Sequence, residues 1–435
     1  MKDEFFKNTG LMFIGIGLFN LFNLLYHFFM VRHLTPADYG QLNALMALFM
    51  LITVPANTVQ TTITRFVSVF QAKSQHRQTK DFLKHFLLVM VAVALFFFLA
   101  IALGSSLLSA FLQISSPGVI LLTGVILFFA MIAPVPWGGL QGLQKFGLLA
   151  FNLILNGGLK LLVGILLVVG GWGVLGAMGS IAIAYFVTTF LSLILIRFSM
   201  RKEEGEAHSQ AYPILDDSSS LLEAYRYFFP VGMTLLCFMT LTQIDLILVK
   251  HLFTPMEAGY YSIAQMVGKI ILFLPLPVVM VMFPKVSLLD AQKKETLPVL
   301  IRGLMVAGAL CVPGILISHL FPDRITQMLT GKLYPECGPL IRLFSINMTF
   351  FSLTFILLYY HLATRRNIFL YPLSLMTVIQ VGAIALFHET MVQILFIVGL
   401  LAFCLLGINF YLACRPYSEK KKRGEKAHQK ECEAK

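Results

Sequence analysis

The chain has 435 residues, of which 58% are hydrophobic and only 12% are charged, and its mean hydropathy is +0.81. Soluble domains carry about 25% charged residues, so this composition excludes a soluble globular protein and indicates a membrane protein. The net charge of +12 does not indicate a nucleic-acid partner, because the basic residues lie beside and between apolar segments rather than in one patch.

The apolar residues fall into runs that are long enough to cross a bilayer, since about 20 residues of α-helix span the hydrocarbon core. We therefore predict an all-α polytopic membrane protein with about twelve transmembrane helices. In chain order, the predicted spans are residues 10–31, 41–69, 83–111, 117–135, 148–170, 174–197, 225–249, 259–283, 297–320, 338–360, 367–387 and 391–413. The first span is too long for a signal peptide and lacks a small-residue cleavage site, so we expect it to be retained.

The distribution of basic residues predicts the orientation of these spans. If both termini are cytoplasmic, most of the 33 lysine and arginine residues fall on the cytoplasmic side. The exceptions are two lysines within spans and five residues outside: Lys160, Lys269, Arg32, Lys250, Arg324, Lys332 and Arg342. This bias predicts a multi-pass protein of the inner cell membrane with cytoplasmic N- and C-termini. Arg32 and Lys250 are expected to be solvated at the outer surface.

The longest hydrophilic insertion divides the spans into two sets of six. We predict an N-terminal lobe over residues 1–197, a cytoplasmic linker over 198–222 and a C-terminal lobe over 223–413. Residues 414–435 are rich in lysine and are interpreted as a solvated, disordered cytoplasmic tail, with contact to anionic membrane lipids as the alternative.

One short sequence occurs twice at equivalent places. Residues 32–40 read RHLTPADYG and residues 250–259 read KHLFTPMEAG, with Phe253 inserted in the second copy. Because six spans per half preserve orientation, we predict parallel repeats, with two pseudo-symmetric six-helix lobes around a central cavity. Threonine, proline and an acid in each copy predict a helix start at the outer surface. The alignment also places Pro55 near Pro275, which predicts bent helices in both lobes.

The residues around the repeat resemble a known family. The pattern LTPADYG followed by a long helix ending in TRFVS resembles the first two spans of Wzx-type polysaccharide flippases, which belong to the multidrug/oligosaccharidyl-lipid/polysaccharide exporter superfamily. The stretch QIDLILVKHLFTPMEAGYYSIAQMVGKI resembles the seventh-to-eighth span region of that family, and GGLQGLQKFGLLAF resembles its fourth-to-fifth span loop. The resemblance covers nearly the whole chain.

This resemblance implies a transporter of two six-helix lobes that close around a central cavity. It implies a lipid-linked oligosaccharide or polysaccharide precursor as cargo, carried on a pyrophosphate-linked polyprenyl lipid and moved from the cytoplasmic to the outer leaflet. Glycosyltransferases or a polymerase of the same pathway would be further partners.

Polar side chains recur at helical spacing within several spans, although polar groups facing lipid are costly. They form a candidate path for a cargo headgroup: Asn20 and Asn23 in the first span, Asn57, Gln60 and Thr64 in the second, Asn152, Asn156 and Lys160 in the fifth, and Ser262, Gln265 and Lys269 in the eighth. For the uncharged residues, hydrogen bonding between helices is an equally good explanation.

Lys160 and Lys269 are the sharpest candidates, because an ionised side chain at a helix centre costs about 2.5–3.5 kcal/mol. Neither lysine has an acid one turn away on its own helix. We interpret both as contacts for a phosphate, with structural pairing, for example to Asp245, as the alternative. Arg65 and Arg342 are candidate first and last contacts for a pyrophosphate, although interfacial anchoring explains Arg65 equally well.

The repeat places His27 opposite Asp245, and both are expected to face the cavity near the outer ends of their helices. Because histidine titrates near neutrality and burial shifts a carboxyl toward that range, the pair could couple ions to gating. The alternative is an ion pair between the lobes that seals the outer gate.

The sequence offers little for catalysis. It contains no P-loop, no metal-ligand spacing among its six cysteines and no long outer loop, so we predict a non-enzyme without cofactor or metal. The main hypothesis is a flippase that works by alternating access. The alternatives are a cation-coupled multidrug exporter of the same superfamily and, less favoured, a membrane-embedded polysaccharide polymerase or ligase.

Overall fold

The computed structural model describes residues 2–72, 75–114, 116–206, 217–364 and 366–414, and no strand occurs within these ranges. The α-helices are α1 Lys2–His33, α2 Pro36–Ala72, α3 His76–Leu103, α4 Ser105–Leu112, α5 Pro117–Ile132, α6 Pro134–Gly142, α7 Phe146–Leu167, α8 Gly173–Glu206, α9 Asp217–Leu252, α10 Pro255–Phe273, α11 Leu276–Ala291, α12 Leu297–Leu320, α13 Pro322–Thr330, α14 Cys337–Ala363, α15 Leu370–Leu386 and α16 Met391–Cys414. The all-helical fold class is confirmed.

Within the described residues, 11 helical stretches are long and apolar enough to cross a membrane. One of them, Phe146–Met200, has 55 residues and would be roughly 80 Å long as a straight helix, far more than the ~30 Å hydrocarbon core. It consists of α7 and α8, which pack against each other. They are joined by a sharp turn at Gly171 and Gly173, whose φ angles are +86° and +49° and favour glycine. This stretch makes two passes, which brings the 11 stretches to the twelve spans predicted.

The two repeated Thr-Pro turns begin helices, as predicted. Thr254 Oγ1 accepts a hydrogen bond from the Glu257 N–H at 3.4 Å, and the Glu257 carboxylate accepts one from the Thr254 N–H at 3.0 Å. Together they form a capping box at the start of α10. At the start of α2, Thr35 Oγ1 accepts from the Asp38 N–H at 3.2 Å and donates to the Asp38 carboxylate at 2.7 Å.

The two predicted proline positions differ in the continuity of their helices. α2 continues as one helix through Pro55, whereas the equivalent span in the second half is interrupted between α10 and α11, where Pro275 precedes Leu276. Two prolines close together, Pro275 and Pro277, remove two backbone donors within one turn, which a helix tolerates less well than one.

The helices pack as a first half, α1–α8, and a second half, α9–α16. In the first half α7 packs against α1 and α8, and α5 packs against α3 and α8. In the second half α14 packs against α10, α12 and α16. α8 and α9 extend into both ends of the predicted linker 198–222, so the described residues leave only 207–216 between them. The predicted tail lies outside the described residues from position 415 onward.

The halves meet where α2 packs against α9 and α10. Two short helices reach across this boundary: α4 of the first half contacts α9, and α13 of the second half contacts α1. Each short helix directly follows the third span of its half. The pseudo-symmetry therefore extends beyond the repeated turn. We call the end of the bundle that carries the Thr35 and Thr254 turns the turn end.

Candidate functional site

The two repeated turns touch each other at the turn end. A Cβ atom added to Gly40 would lie 2.9 Å from the Gly259 nitrogen and 3.0 Å from its Cα. A Cβ atom added to Gly259 would collide with the Pro36 carbonyl. Only glycine lets α2 and α10 approach this closely. The repeat was expected to mark only helix starts, and it also forms a close backbone contact between the halves.

A second contact joins the halves at the same end. The Gln113 side-chain amide, just after α4, donates to the His251 backbone carbonyl at 2.8 Å, and the His251 Nδ1–H donates to the Phe111 carbonyl at 2.8 Å. The Phe111 and His251 rings stack with centroids 4.1 Å apart. Tyr39 also donates its hydroxyl to Met266 Sδ at 3.2 Å. These three hydrogen bonds between the halves, together with the Gly40–Gly259 contact, close the turn end.

Lys250 lies beside this contact and corrects one expectation. The side chain was expected to be solvated, but it is only 1% exposed. Its positive charge is attracted by Asp38 of the first half. Arg32, the residue that matches it in the repeat, is exposed as expected. We use the name turn-end seal for the Gly40–Gly259 crossing together with the contacts of Gln113 and Phe111 with His251, of Tyr39 with Met266 and of Lys250 with Asp38.

Lys160 is buried in the first half, with 6% of its surface exposed. Its ammonium group donates to Asn23 Oδ1 at 2.9 Å and lies 4.2 Å from the centroid of the Tyr26 ring. The Tyr26 hydroxyl is fixed in turn by donating to the Ala177 carbonyl at 2.9 Å. The charge is therefore stabilised by α1 through an amide oxygen and a cation–π contact rather than by a carboxylate.

Asp245 is fully buried in the second half and bonded to α10. Its carboxylate accepts from the Tyr261 hydroxyl at 2.8 Å and from the Gln265 amide at 3.4 Å. Lys269 donates to Gln243 Oε1 on α9 at 3.0 Å. Tyr261, Gln265 and Lys269 are spaced by four residues, so one face of α10 directs all three towards α9.

His27 links the two sets of residues. It is half-buried on α1, and the charges of both Lys160 and Lys269 act on its imidazole. Asp245 attracts Lys269 rather than His27. The expected pairing of His27 with Asp245 is therefore not the arrangement in this state, because the carboxylate is bonded within its own half.

These residues form what we call the central cluster: Asn23, Tyr26, His27, Lys160, Gln243, Asp245, Tyr261, Gln265 and Lys269. Asp245 is the single buried acid in the described part of the chain. With a neutral histidine, two lysines against one aspartate leave an excess of positive charge. No group of three or more histidine, cysteine or acidic side chains that could bind a metal occurs among the described residues.

Asn152 and Asn156 are buried and connect helices within the first half. Asn152 Oδ1 accepts from the Trp137 ring N–H at 2.9 Å, and its Nδ2 donates to the Thr188 carbonyl at 3.0 Å. Asn156 Nδ2 donates to the Thr188 hydroxyl at 2.9 Å. The stripe predicted for the fifth span therefore divides. Lys160 faces α1, whereas Asn152 joins α7 to α6 and α8, and Asn156 joins α7 to α8.

Gln60 and Thr64 lie where α2 packs against α6. The Gln60 amide donates to Gln141 Oε1 at 3.3 Å, and the Thr64 hydroxyl is 3.2 Å from the same oxygen. Gln141 was not recognised from the sequence. The side chain of Asn57, the third candidate on this span, lies outside the described residues.

Arg65 and Arg342 are both exposed and lie on different helices. Arg65 is one residue beyond Thr64 on α2, and Arg342 is in the second turn of α14.

An apolar cavity of about 290 Å³ lies away from all these candidates, between α12, α14 and α16. Its lining offers no polar side chain for a saccharide: Leu304, Leu353, Phe403, Leu406, Gly407 and Phe410.

Three cluster residues were missed from the sequence: Tyr26, Gln243 and Tyr261. The available signal was spacing, because Tyr261 lies one turn before Gln265 on the stripe that ends at Lys269. The prediction extended that stripe to Ser262, which instead donates to the backbone carbonyl of Ala258 at 2.8 Å.

Comparison with solved structures identifies the same fold in membrane transporters. An inward-facing multidrug resistance MATE family transporter of the MOP superfamily matches with a TM-score of 0.73 and 13% identity, covering 92% of this chain and 97% of that one. The lipid II flippase MurJ, in an inward closed conformation, matches with a TM-score of 0.70 and 14% identity, covering 93% and 87%. A MOP superfamily transporter from Pyrococcus furiosus, whose binding pocket has reverse polarity, matches with a TM-score of 0.63 and 15% identity, covering 95% of both chains.

The family relationship rests on sequence. No curated protein matches the chain significantly. The family model described as polysaccharide biosynthesis protein matches residues 5–289, well over half of the chain. This match confirms the resemblance drawn from the motifs around the repeat. The chain belongs to the polysaccharide biosynthesis protein family.

Proposed function

We propose that this protein flips a lipid-linked oligosaccharide or polysaccharide precursor from the cytoplasmic to the outer leaflet for cell-surface polysaccharide synthesis. The observation that carries the proposal is the central cluster, where the halves contribute two lysines and a histidine against one acid. An excess of positive charge inside a membrane protein suits a phosphate-bearing headgroup. Membership of the family and the transporter fold support this proposal.

Lys269 is the residue we assign to the cargo phosphate. Its side chain is half-buried and has one neutral hydrogen-bond partner, Gln243. Lys160 is almost fully buried and is held by Asn23 and Tyr26. A lysine ammonium has three donors and binds phosphate as a point charge, so Lys269 keeps donors for a ligand while Lys160 supplies background charge.

The same excess charge favours an anionic cargo over the alternative cargo, an organic cation. A multidrug exporter of cations would be expected to present acidic and aromatic groups at its site. In the central cluster Asp245 is already bonded to Tyr261 and Gln265.

We propose that the turn end faces outside and that the protein works by alternating access. Because the turn-end seal is closed, this state would receive cargo from the cytoplasmic leaflet. The cycle then requires the Gly40–Gly259 crossing to separate and the opposite ends of the halves to approach. Without a nucleotide-binding motif in the sequence, we assign the driving force to an ion gradient, the membrane potential or the cargo gradient.

The test is translocation by the purified full chain in lipid vesicles, using a fluorescent polyprenyl-diphosphate-linked disaccharide and an impermeant quencher. We expect translocation by the wild type and a rate at least about ten-fold lower in Lys269→Gln, equivalent to about 1.4 kcal/mol. Lys332→Gln is the matched control, because it removes an exposed lysine outside the cluster.

Equal rates in Lys269→Gln and the control would remove Lys269 from the site. Failure of the wild type to translocate lipid-linked saccharides with several headgroups, together with export of organic cations, would replace the flippase proposal with the exporter.

A further inference from the structure

Asp245 and Lys269 carry opposite charges in the same cluster, but their hydrogen bonds go to neutral groups. The carboxylate accepts from Tyr261 and Gln265 of α10, at 2.8 and 3.4 Å. The ammonium group donates to Gln243 of α9, at 3.0 Å. Each charged side chain is thus hydrogen-bonded to neutral partners on the other of the two helices. The Asp245 carboxylate therefore makes no direct hydrogen bond to the Lys269 ammonium group.

The two charges nevertheless attract each other. Inside a protein this attraction is several times stronger than in water. With Asp245 ionised, an incoming phosphate experiences attraction to Lys269 and repulsion by Asp245. Removing the carboxylate charge would leave the attraction and remove the repulsion.

We propose that Asp245 is an internal counter-ion that competes with the anionic headgroup for Lys269 and limits how tightly the headgroup is held. This role rests on the proposed function and specifies how the same site holds its ligand weakly enough to release it. A transporter must bind its cargo strongly enough to load it and weakly enough to release it. Asp245 is suited to this role because it is the single buried acid in the described residues.

A purely structural role for Asp245 makes a different prediction. If the carboxylate only anchored Tyr261 and Gln265, an asparagine would keep an oxygen acceptor for either donor, and affinity for the cargo would not rise. The counter-ion role instead requires affinity to rise when the charge alone is removed. Asp245→Asn therefore separates the two roles.

The experiment measures binding and translocation of a fluorescent polyprenyl-diphosphate-linked disaccharide by the full chain, in detergent and in vesicles respectively. We expect Asp245→Asn to raise affinity about ten-fold and to lower the maximal translocation rate several-fold, whereas Asp245→Glu keeps the affinity within about two-fold of wild type. In Asp245→Asn combined with Lys269→Gln, the gain in affinity should disappear.

Glu257→Gln is the matched control. It removes an acid from the same helix, α10, at the turn end, where glutamine can still complete the capping box. Neither affinity nor rate should change. Gln243→Glu provides an opposite test that does not depend on folding of the asparagine variant, because a second carboxylate beside Lys269 should weaken binding several-fold.

Unchanged or weaker binding in a folded Asp245→Asn variant would overturn the counter-ion role and leave the flippase proposal standing, provided that the wild type binds the probe. Unchanged binding in Gln243→Glu would overturn it as well. If the wild type neither binds nor translocates the diphosphate-linked probe, both proposals fail together.

Discussion

At the scale of single residues, the structure separates two lysines that are indistinguishable in sequence. Both Lys160 and Lys269 lie deep in apolar spans without a nearby acid on the same helix, which is why both could be predicted as functional. Their partners could not be predicted, because Asn23 is 137 positions from Lys160 in the chain. Helical spacing reports neighbours within one helix, and these contacts depend on how helices pack.

The same limit applies to the asparagines of the fifth span. Sequence left hydrogen bonding between helices and contact with cargo equally plausible for Asn152 and Asn156. In the structure both amides join α7 to α8. They belong to the framework that supports Lys160 on the next turn of α7.

This arrangement predicts an ordered loss of stability. Asn152→Ala removes two hydrogen bonds and leaves the Trp137 N–H without its acceptor, whereas Asn156→Ala removes one bond to Thr188. We expect losses in the free energy of unfolding of about 1–2 kcal/mol and about 0.6 kcal/mol respectively. Denaturant titration in detergent would measure both values.

Translocation per folded molecule should stay near the wild-type value in both variants. A large fall in translocation without a fall in stability would instead show that these amides contact the cargo.

At the scale of helices, the sequence correctly predicts that each repeated turn begins a helix, but it does not predict that the two turns touch each other. The capping residues are local, since Thr254 and Glu257 are three positions apart, and local patterns are visible in a sequence. The Gly40–Gly259 approach joins equivalent positions of the two halves. The sequence feature that could have predicted this contact is the glycine at the same place in both copies, because equivalent small residues can meet where two pseudo-symmetric helices cross.

The crossing predicts that a methyl group at Gly259 should open the turn end. In Gly259→Ala the new Cβ collides with the Pro36 carbonyl, so α2 and α10 must separate. In a variant lacking native cysteines, we would place a cysteine at His27 and add an impermeant maleimide on the turn-end side. We expect the rate of labelling to rise about ten-fold, which corresponds to a destabilisation of the closed state by about 1.4 kcal/mol.

Gly382→Ala is the control for this experiment, since a Cβ there has open space around it. An equal labelling rate in Gly259→Ala and Gly382→Ala would show that the crossing does not hold the turn end closed.

At the scale of the whole molecule, the number of spans could be predicted and the arrangement between halves could not. Hydropathy is a property of consecutive residues, so it locates each span and the Gly171–Gly173 reversal between α7 and α8. The short helices α4 and α13 were absorbed into predicted spans or loops, because eight or nine residues are too few to stand out. Yet these helices reach across to α9 and α1 and help to join the halves.

If alternating access is correct, joining the halves at the turn end must stop the cycle without blocking loading. The Tyr39 hydroxyl and Met266 Sδ meet across the boundary at 3.2 Å, so cysteines at these positions can be linked by a reducible reagent long enough to replace the two side chains. We expect translocation to fall below about a tenth of its unlinked rate, binding of the diphosphate-linked probe to persist within about two-fold, and reduction to restore translocation.

Linking Gln60 to Gln141 is the control, because both residues lie in the first half and already contact each other at 3.3 Å. That link should leave translocation unchanged, since α2 and α6 move together when the first half rotates as a body. If both links stopped translocation, motion within the first half would be required and rigid rotation would be wrong. If neither did, the turn-end seal would not need to open, and the cargo would have to cross by a route that avoids the boundary between α2 and α10.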